Sequence, residues 1–309
     1  MSIFNTKKYI AAISGGPDSM ALLHMYRRHI KAVCTVKYNK RPDCNVDVEI
    51  VKKMCEKWNI KFELLDVDQE IYDQVNDNNF QSKARTIRYD FFKEIAEKYN
   101  ADQLLVAHQL DDFLETAYAQ KSKKSLSLFY GVPEYSEWKG LKIYRPLIRR
   151  YRKATLQRYC DDFDIPYAID SSNSEDIYER NRIRKIISMW DTKKVHEFLK
   201  EIDKYNKENK KVRQQIDRLK ENWRSSFYDV RLFKTFDNMQ KYYIIYDYLN
   251  DNGIYRPNRH KIEGIIEFIT GMHGKEFRLN DHTLLIKNNG KIELKTLEKP
   301  QDDLSGGEE

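Results

Sequence analysis

Tyr9-Ile10-Ala11-Ala12-Ile13 runs directly into Ser14-Gly15-Gly16-Pro17-Asp18-Ser19 and then into Met20-Ala21-Leu22-Leu23-His24-Met25-Tyr26. The first run reads as a buried strand and the last as a helix, so the glycines mark a strand-to-helix turn. Such a turn aims backbone N–H groups and the positive end of a helix at one point, where a phosphate can sit. Gly15 and Gly16 keep Cβ atoms out of the way of an anion, and Ser14 and Ser19 add hydroxyl donors. A lysine before the last Ser or Thr would mark a Walker loop, and none is present. Asp18 stands there instead, a carboxylate suited to a phosphate-bound magnesium. The plainer alternative is a glycine turn whose Asp or Ser only caps a helix.

The chain has 309 residues, 33% of them charged and 40% hydrophobic, with mean hydropathy −0.79. That length suggests two domains, and the apolar fraction is enough for a core. No apolar run approaches the roughly 18 residues of a membrane span, and the N-terminal residues lack a signal-peptide pattern. Cys34, Cys44, Cys55 and Cys160 contain no C-x-x-C pair, which suggests reduced thiols in a cytoplasmic enzyme. The net charge of +7 suits a polyanionic partner. Residues 121–160 concentrate it: Arg145, Arg149, Arg150, Arg152, Lys153 and Arg158 stand among Phe129, Tyr130, Tyr135, Trp138, Tyr144, Tyr151 and Tyr159. Cations that neutralise phosphates, interleaved with rings that stack on unpaired bases, predict an RNA surface. A solvated lysine face beside core aromatics is the alternative.

Further strands are expected at Ile30–Val36, Lys61–Leu65 and Gln103–Ala107, with helices near Val46–Trp58 and Ser82–Tyr99. This alternation predicts an α/β fold with a doubly wound, mainly parallel sheet and ligands at the carboxyl ends of its strands. A second motif, His108-Gln109-Leu110-Asp111-Asp112-Phe113-Leu114-Glu115-Thr116, emerges at that same edge. His108, Asp111, Asp112, Glu115 and Thr116 share one helical face. Such a stripe can hold magnesium, accept protons from an amine or orient a base. It can also cap a helix with acids.

The ordered set S-G-G-P-D-S, Ala84-Arg85-x-x-Arg88-Tyr89, H-x-x-D-D-x-x-E-T, Arg145-Pro146-Leu147, Asp170-Ser171-Ser172-Asn173 and Arg180-Asn181-Arg182-Ile183-Arg184 resembles the tRNA(Ile)-lysidine synthase family. That family belongs to the PP-loop N-type ATP pyrophosphatases, which split ATP between its α- and β-phosphates. The resemblance spans residues 9 to about 187. One departure is Val36-Lys37-Tyr38-Asn39-Lys40-Arg41, where many members carry a histidine-rich stretch. The resemblance implies that free L-lysine is joined to C2 of the wobble cytidine of a CAU anticodon in tRNA(Ile), through an adenylated cytidine. It implies ATP at Ser14–Ser19 and Arg88. It implies Mg2+ at Asp18 and Asp112, and catalytic roles for Asp18, His108, Asp112 and Glu115. Arg85, Asp111, Arg149, Arg150, Arg152, Asp170, Asn173, Arg180, Asn181 and Arg184 would contact substrate or RNA. Two alternatives stay open: a PP-loop tRNA thiolase, and a non-catalytic RNA-binding protein with a vestigial nucleotide fold.

Beyond residue 190 the pattern changes. Val195, Phe198, Leu199, Ile202, Tyr205, Val212, Ile216, Leu219 and Trp223 form the stripe of a long helix interrupted at Asn209, with lysines opposite. A helical pair near Phe236–Asn250 and Arg259–Thr270 follows, then short strands with a turn at Asn288-Asn289-Gly290. The expected organisation is a catalytic domain over 1–190, a helical linker over 191–225, and a small α+β tRNA-binding domain over 226–298. An acidic tail over 299–309 is expected to be disordered.

Overall fold

The computed structural model describes residues 8–38, 44–68, 80–123, 127–168, 178–254, 257–272, 274–281 and 283–297. The proposed disordered tail lies outside them, as do Asp170, Asn173 and residues 39–41 of the departing loop. The chain divides into two compact units, Met1–Asn209 and Lys210–Glu309.

The first unit is built on β1 (Tyr9–Ala12), β2 (Ile30–Tyr38), β3 (Lys61–Val67), β4 (Gln103–Val106), β5 (Tyr135–Trp138) and β6 (Leu141–Tyr144), in the order β3-β2-β1-β4-β6-β5. Each pairing is parallel except the β5–β6 hairpin. The expected doubly wound sheet is therefore present, with one antiparallel edge strand. Its helices are α1 (Pro17–Tyr26), α2 (Cys44–Lys57), α3 (Phe80–Lys98), α4 (Leu110–Ser122), α5 (Lys153–Asp162), α6 (Tyr178–Ser188) and α7 (Thr192–Glu208).

The two-residue period of the strands splits the core into layers. Ala11, Val33 and Leu105 pack with Met20, Leu23, Met54, Leu156 and Cys160 from α1, α2 and α5. Their neighbours Ile10, Ala32, Cys34 and Leu104 face the other way, against Tyr89, Phe92, Ile95 and Ala96 of α3. With both faces covered, β1 and β4 carry apolar residues without alternation. The chain runs outward from β1 to β2 and β3, then returns to place β4 on the other side of β1. That reversal opens a crevice beyond the carboxyl ends of β1 and β4.

A third cluster joins Phe113, Leu114 and Ala117 of α4 to Ile183 and Ile187 of α6 and Val195, Phe198 and Ile202 of α7. The 191–225 segment is thus not a separate linker. Its first half completes the core of the first unit, and the division falls at Asn209. That residue ends α7 with its side-chain amide donating to the Tyr205 carbonyl at 3.0 Å.

In the second unit, α8 (Lys210–Ser225), α9 (Val230–Lys234), α10 (Asn238–Asp251) and α11 (Arg259–Thr270) accompany the antiparallel sheet β7 (Glu276–Asn280), β8 (Thr283–Asn288) and β9 (Lys291–Thr296). Fully buried Trp223 centres it, ringed by Tyr228, Phe233 and Tyr248. Its indole N–H donates to the Asp229 carbonyl at 2.9 Å.

One buried polar clasp in the first unit gives a direct test. The Asn206 side chain accepts from the Tyr130 N–H at 2.8 Å and donates to the Tyr130 carbonyl at 2.9 Å. Asn206→Ala removes both of these buried bonds. It is expected to cost about 2–4 kcal/mol in the unfolding of this unit, read as a lowered denaturant midpoint, whereas a surface change such as Lys207→Ala should cost almost nothing.

Candidate active site

The glycine turn begins where β1 ends. Gly15 has φ +86°, and a Cβ there would meet Asp47 at 3.1 Å, so this position requires glycine. The Gly15 carbonyl accepts from the Ala168 N–H at 2.9 Å, tying the turn to the chain that leaves α5. Ser19 is buried; its hydroxyl donates to the Gly16 carbonyl at 2.9 Å and accepts from the Ser14 N–H at 3.2 Å. The turn is therefore pre-shaped by its own groups. Helix α1 follows with Gly16 as N-cap, Pro17 in its first turn and no side-chain cap. Its leading N–H groups stay available to an oxyanion, as the sequence implied.

Asp18 lies in the first turn of α1. Its Oδ1 is shielded from water and has no hydrogen-bond partner among the described residues. Burial, then the charge of Asp112, push its pKa up from 3.8 to about 7, while Lys153 opposes them and Asp111 adds to them. A carboxylate held in this way calls for a cation. Among the described residues no group of three or more His, Cys, Asp or Glu side chains could enclose a metal ion. Magnesium, however, is commonly held by one or two carboxylates together with phosphate oxygens and water. Asp18 and Asp112 fit that pattern, and the unpaired Oδ1 marks where a cation would be welcome.

The acids of α4 divide their work. Asp112 Oδ2 accepts from the Gln109 N–H at 2.9 Å, half of a capping box, so the capping alternative holds for one of its oxygens. Asp111 is not a free substrate ligand. It pairs with Arg152 at 2.6 Å and accepts from the Lys153 N–H at 2.8 Å. Glu115 faces Arg184 of α6 at 3.4 Å, and its side chain is 14% exposed. Asn181 sits partly buried earlier in α6; the Arg180 side chain is outside the described atoms.

His108 leaves the end of β4 and accepts at Nδ1 from Arg145 Nε at 3.2 Å. Burial lowers its pKa to about 4, with Arg145, Arg85 and Arg88 adding to the shift and Asp112 opposing it. These arginines therefore bring positive charge to the same crevice. Arg85 of α3 lies 4.6 Å above the Tyr89 ring and 5.6 Å from Trp138, while Arg88 Nε donates to the Ala84 carbonyl at 3.3 Å. Arg145 is the residue that motif reading left out of the site. The sequence showed it only as the first residue of Arg145-Pro146-Leu147 after a strand; the structure adds that it is 4% exposed, beside the strand that pairs with β4.

The proposed RNA segment needs correction. Arg149 is paired with Asp203 at 2.6 Å and lies 4.3 Å above Phe113. Arg152 also donates to the carbonyls of Ile187 and Trp190, so it holds α6 in place. Tyr130 stacks on Tyr205, Trp138 packs on Tyr89, and Tyr159 bonds His24. Most of these rings are core or near-core, because basic and aromatic residues alternate on a hairpin and helix whose inner faces must be filled. Arg150, Lys142, Lys153 and Arg158 remain exposed, as does Tyr135, which stacks on Tyr144. In the departing loop, Lys37 pairs with Asp66 and the Tyr38 hydroxyl donates to Ala84. Those two positions brace the edge of the sheet.

A family model described as "PP-loop domain" matches residues 2–189. A model of the PtdIns3K complex I subunit atg38 C-terminal domain matches residues 163–230, a minor helical part of the chain. The tRNA(Ile)-lysidine synthase of Ureaplasma parvum is 45% identical over 291 residues, 93% of this chain and 87% of its own length. The enzyme of that name from Malacoplasma penetrans is 38% identical, covering 92% and 97%, and that of Mycoplasma genitalium is 38% identical, covering 91% and 96%. Among solved structures, a U34-tRNA thiolase from Methanococcus maripaludis aligns with TM-score 0.54 and 15% identity over 67% of this chain and 73% of that one. At that identity the likeness speaks for the fold.

The Asp18 environment carries a pH signature. Between pH 3.8 and about 7 the native state holds a proton that the unfolded chain has released, so stability falls as pH rises through that window. Metal-free Asp18→Asn is expected to melt a few degrees above the parent at pH 8 and together with it at pH 4. Its activity should fall by orders of magnitude. Differential scanning fluorimetry across pH, with EDTA present, reads this; a variant melting lower at pH 8 would contradict the account.

Proposed function

Because this chain belongs to the tRNA(Ile)-lysidine synthase family of PP-loop ligases that use ATP, we propose that the crevice beyond β1 and β4 adenylates the wobble cytidine and then joins lysine to it. Lysidine formation on tRNA(Ile) is the activity of the family, shared with relatives up to 45% identical over most of the chain. The observation that carries the mechanistic reading is the meeting of an uncapped helix start, an Asp18 oxygen with no partner among the described residues, and His108 with Asp112 at one switch point of the sheet.

ATP would lie with its phosphates on the Ser14–Ser19 amides and hydroxyls. Magnesium, when bound, supplies charge neutralisation to the phosphates, with Asp18 and Asp112 as its protein partners. The cytidine C2 oxygen attacks the α-phosphorus, and pyrophosphate leaves. An amine of free L-lysine then attacks C2; the new C–N bond forms as the C–O bond to AMP breaks. The first step turns a poor leaving oxygen into a good one. Arg85, Arg88 and Arg184 supply positive charge for the phosphates or the RNA. The anticodon is read as CAU, and exposed Arg150, Lys142, Lys153 and Arg158 support docking of the RNA backbone. None of the described helices is long and apolar enough to cross a membrane, in keeping with a cytoplasmic reaction on tRNA.

The thiolase alternative finds little support in the thiols. Cys34, Cys55 and Cys160 are buried and free. Burial raises each of their pKa values, that of Cys55 to about 12 and of Cys160 to about 11. Such thiols are poor nucleophiles at neutral pH.

Incubation with tRNA(Ile), ATP and lysine should give lysidine by nucleoside mass spectrometry, with AMP and pyrophosphate in equal amounts. Leaving out lysine should trap an adenylated tRNA that proceeds to product when lysine is added. Stoichiometric ADP, or an adenylated lysine formed without tRNA, would overturn the reading. Replacing all four cysteines by Ala or Ser should leave turnover within a few-fold in a variant that stays folded; loss of activity in a folded, tRNA-binding variant would favour sulfur transfer.

A further inference from the structure

We propose that Arg145 is a positioning residue that fixes His108 as the tautomer protonated on Nε2, so that His108 acts as a neutral hydrogen-bond donor and not as a base. The tautomer follows from geometry, and its catalytic consequence rests on the function proposed above.

Arg145 follows β6, the parallel neighbour of β4, with Tyr144 opposite Leu105. It therefore reaches the same sheet edge as His108. Its backbone N–H donates to the Glu134 carbonyl at 2.9 Å. Its Nη1 donates to the Pro133 carbonyl and to Ser136 Oγ, both at 2.9 Å, and its Nε to His108 Nδ1 at 3.2 Å. The contacts to Ser136 of β5 and to Pro133 and Glu134 just before it hold the guanidinium in place against His108.

A guanidinium has five N–H donors and no acceptor. The histidine nitrogen facing it must therefore present a lone pair. An imidazolium would turn an N–H toward an N–H and lose this bond, and the Nδ1–H tautomer would do the same. Only the neutral Nε2–H ring satisfies both partners. The acceptors of Arg145 are all neutral, so its buried charge also stands against a second cation on His108, as do Arg85 and Arg88, with Asp112 pulling the other way.

The Nε2–H is bonded to no described residue. It is free to donate to an oxygen of the substrate: the C2 oxygen, or a phosphate oxygen beside it. In the second step the C2–N bond forms and the C2–O bond breaks. The Nε2 proton stays on the ring throughout, the AMP oxygen takes the electron pair of the broken bond, and the amine gives its proton to water.

Full-length protein with 15N-labelled histidine provides the test. The His108 signals, identified by their loss in His108→Gln, should report a bare Nδ1 and a protonated Nε2 at pH 7. Arg145→Met should release the ring to a mixture of tautomers. It should lower kcat for lysidine formation about 100-fold, the scale of a small misplacement, with KM for ATP within a few-fold. Arg145→Lys should recover part of both signals. Ser136→Ala, which loosens Arg145 without removing it, should move tautomer and kcat in the same direction by less, and it covers the case in which Arg145→Met does not fold. A protonated Nδ1 at pH 7 in the parent overturns the proposal. So does a ring whose tautomer ignores both Arg145→Met and Ser136→Ala. Should the tautomer follow Arg145 while no lysidine forms under any condition, the pairing stands and the functional reading falls.

Discussion

Parallel pairing of β1 with β4, in a register that sets Ala12 against Val106, is the constraint from which the site follows. Two strands ending level with each other release two turns into one crevice. One begins at Ile13 and the other at Ala107. Neither motif would make a site alone: the glycine turn offers donors for an anion, and the α4 face offers carboxylates for a cation. Backbone hydrogen bonds of buried strands hold them at a fixed separation. Polar groups can be kept in strained company there because the apolar layers above and below do not yield.

The charges around the crevice are arranged so that few of them cancel at the centre. Asp111 is consumed by Arg152, and one oxygen of Asp112 by the cap of α4. Asp18 keeps an oxygen without a partner among the described residues. On the facing side, Arg145 is buried among neutral acceptors. The crevice thus holds an acidic pole and a basic pole: Asp18 has an oxygen with no partner among the described residues, and Arg145 has only neutral acceptors. The phosphates of ATP would complement the basic pole, and a cation accompanying them the acidic one. The stability cost of leaving the poles open is the substance of preorganisation.

Much of this was legible in the residues. Strand runs separated by helical periods announced a parallel sheet, and the glycines after Ile13 announced the turn, because only local chemistry was needed to read them. The short strands at Glu276, Thr283 and Lys291 were legible for the same reason, with Asn288-Asn289-Gly290 as the turn. What the residues did not disclose depends on pairing at long range. Nothing near Asp111 says that Arg152, 41 positions away, will take it up, and nothing near Tyr130 predicts its stack on Tyr205. Cations and aromatic rings in one segment look alike whether they await RNA or fill an inner face. Arg145 was visible as part of a motif, but its burial, and therefore its role, depended on where the hairpin folded back.

The place of α7 bears on how the chain can be divided. Val195, Phe198 and Ile202 close over Phe113, Leu114 and Ala117, and these belong to the helix that carries Asp112 and Glu115. A fragment cut after the last motif, near residue 190, would leave that helix with a bare apolar flank, inviting aggregation and loosening the carboxylates it presents. A fragment ending at Asn209 retains the cover. The compact unit that carries the two motifs is therefore longer than the motifs themselves, and the lysine-rich helix that reads as a connector belongs to it.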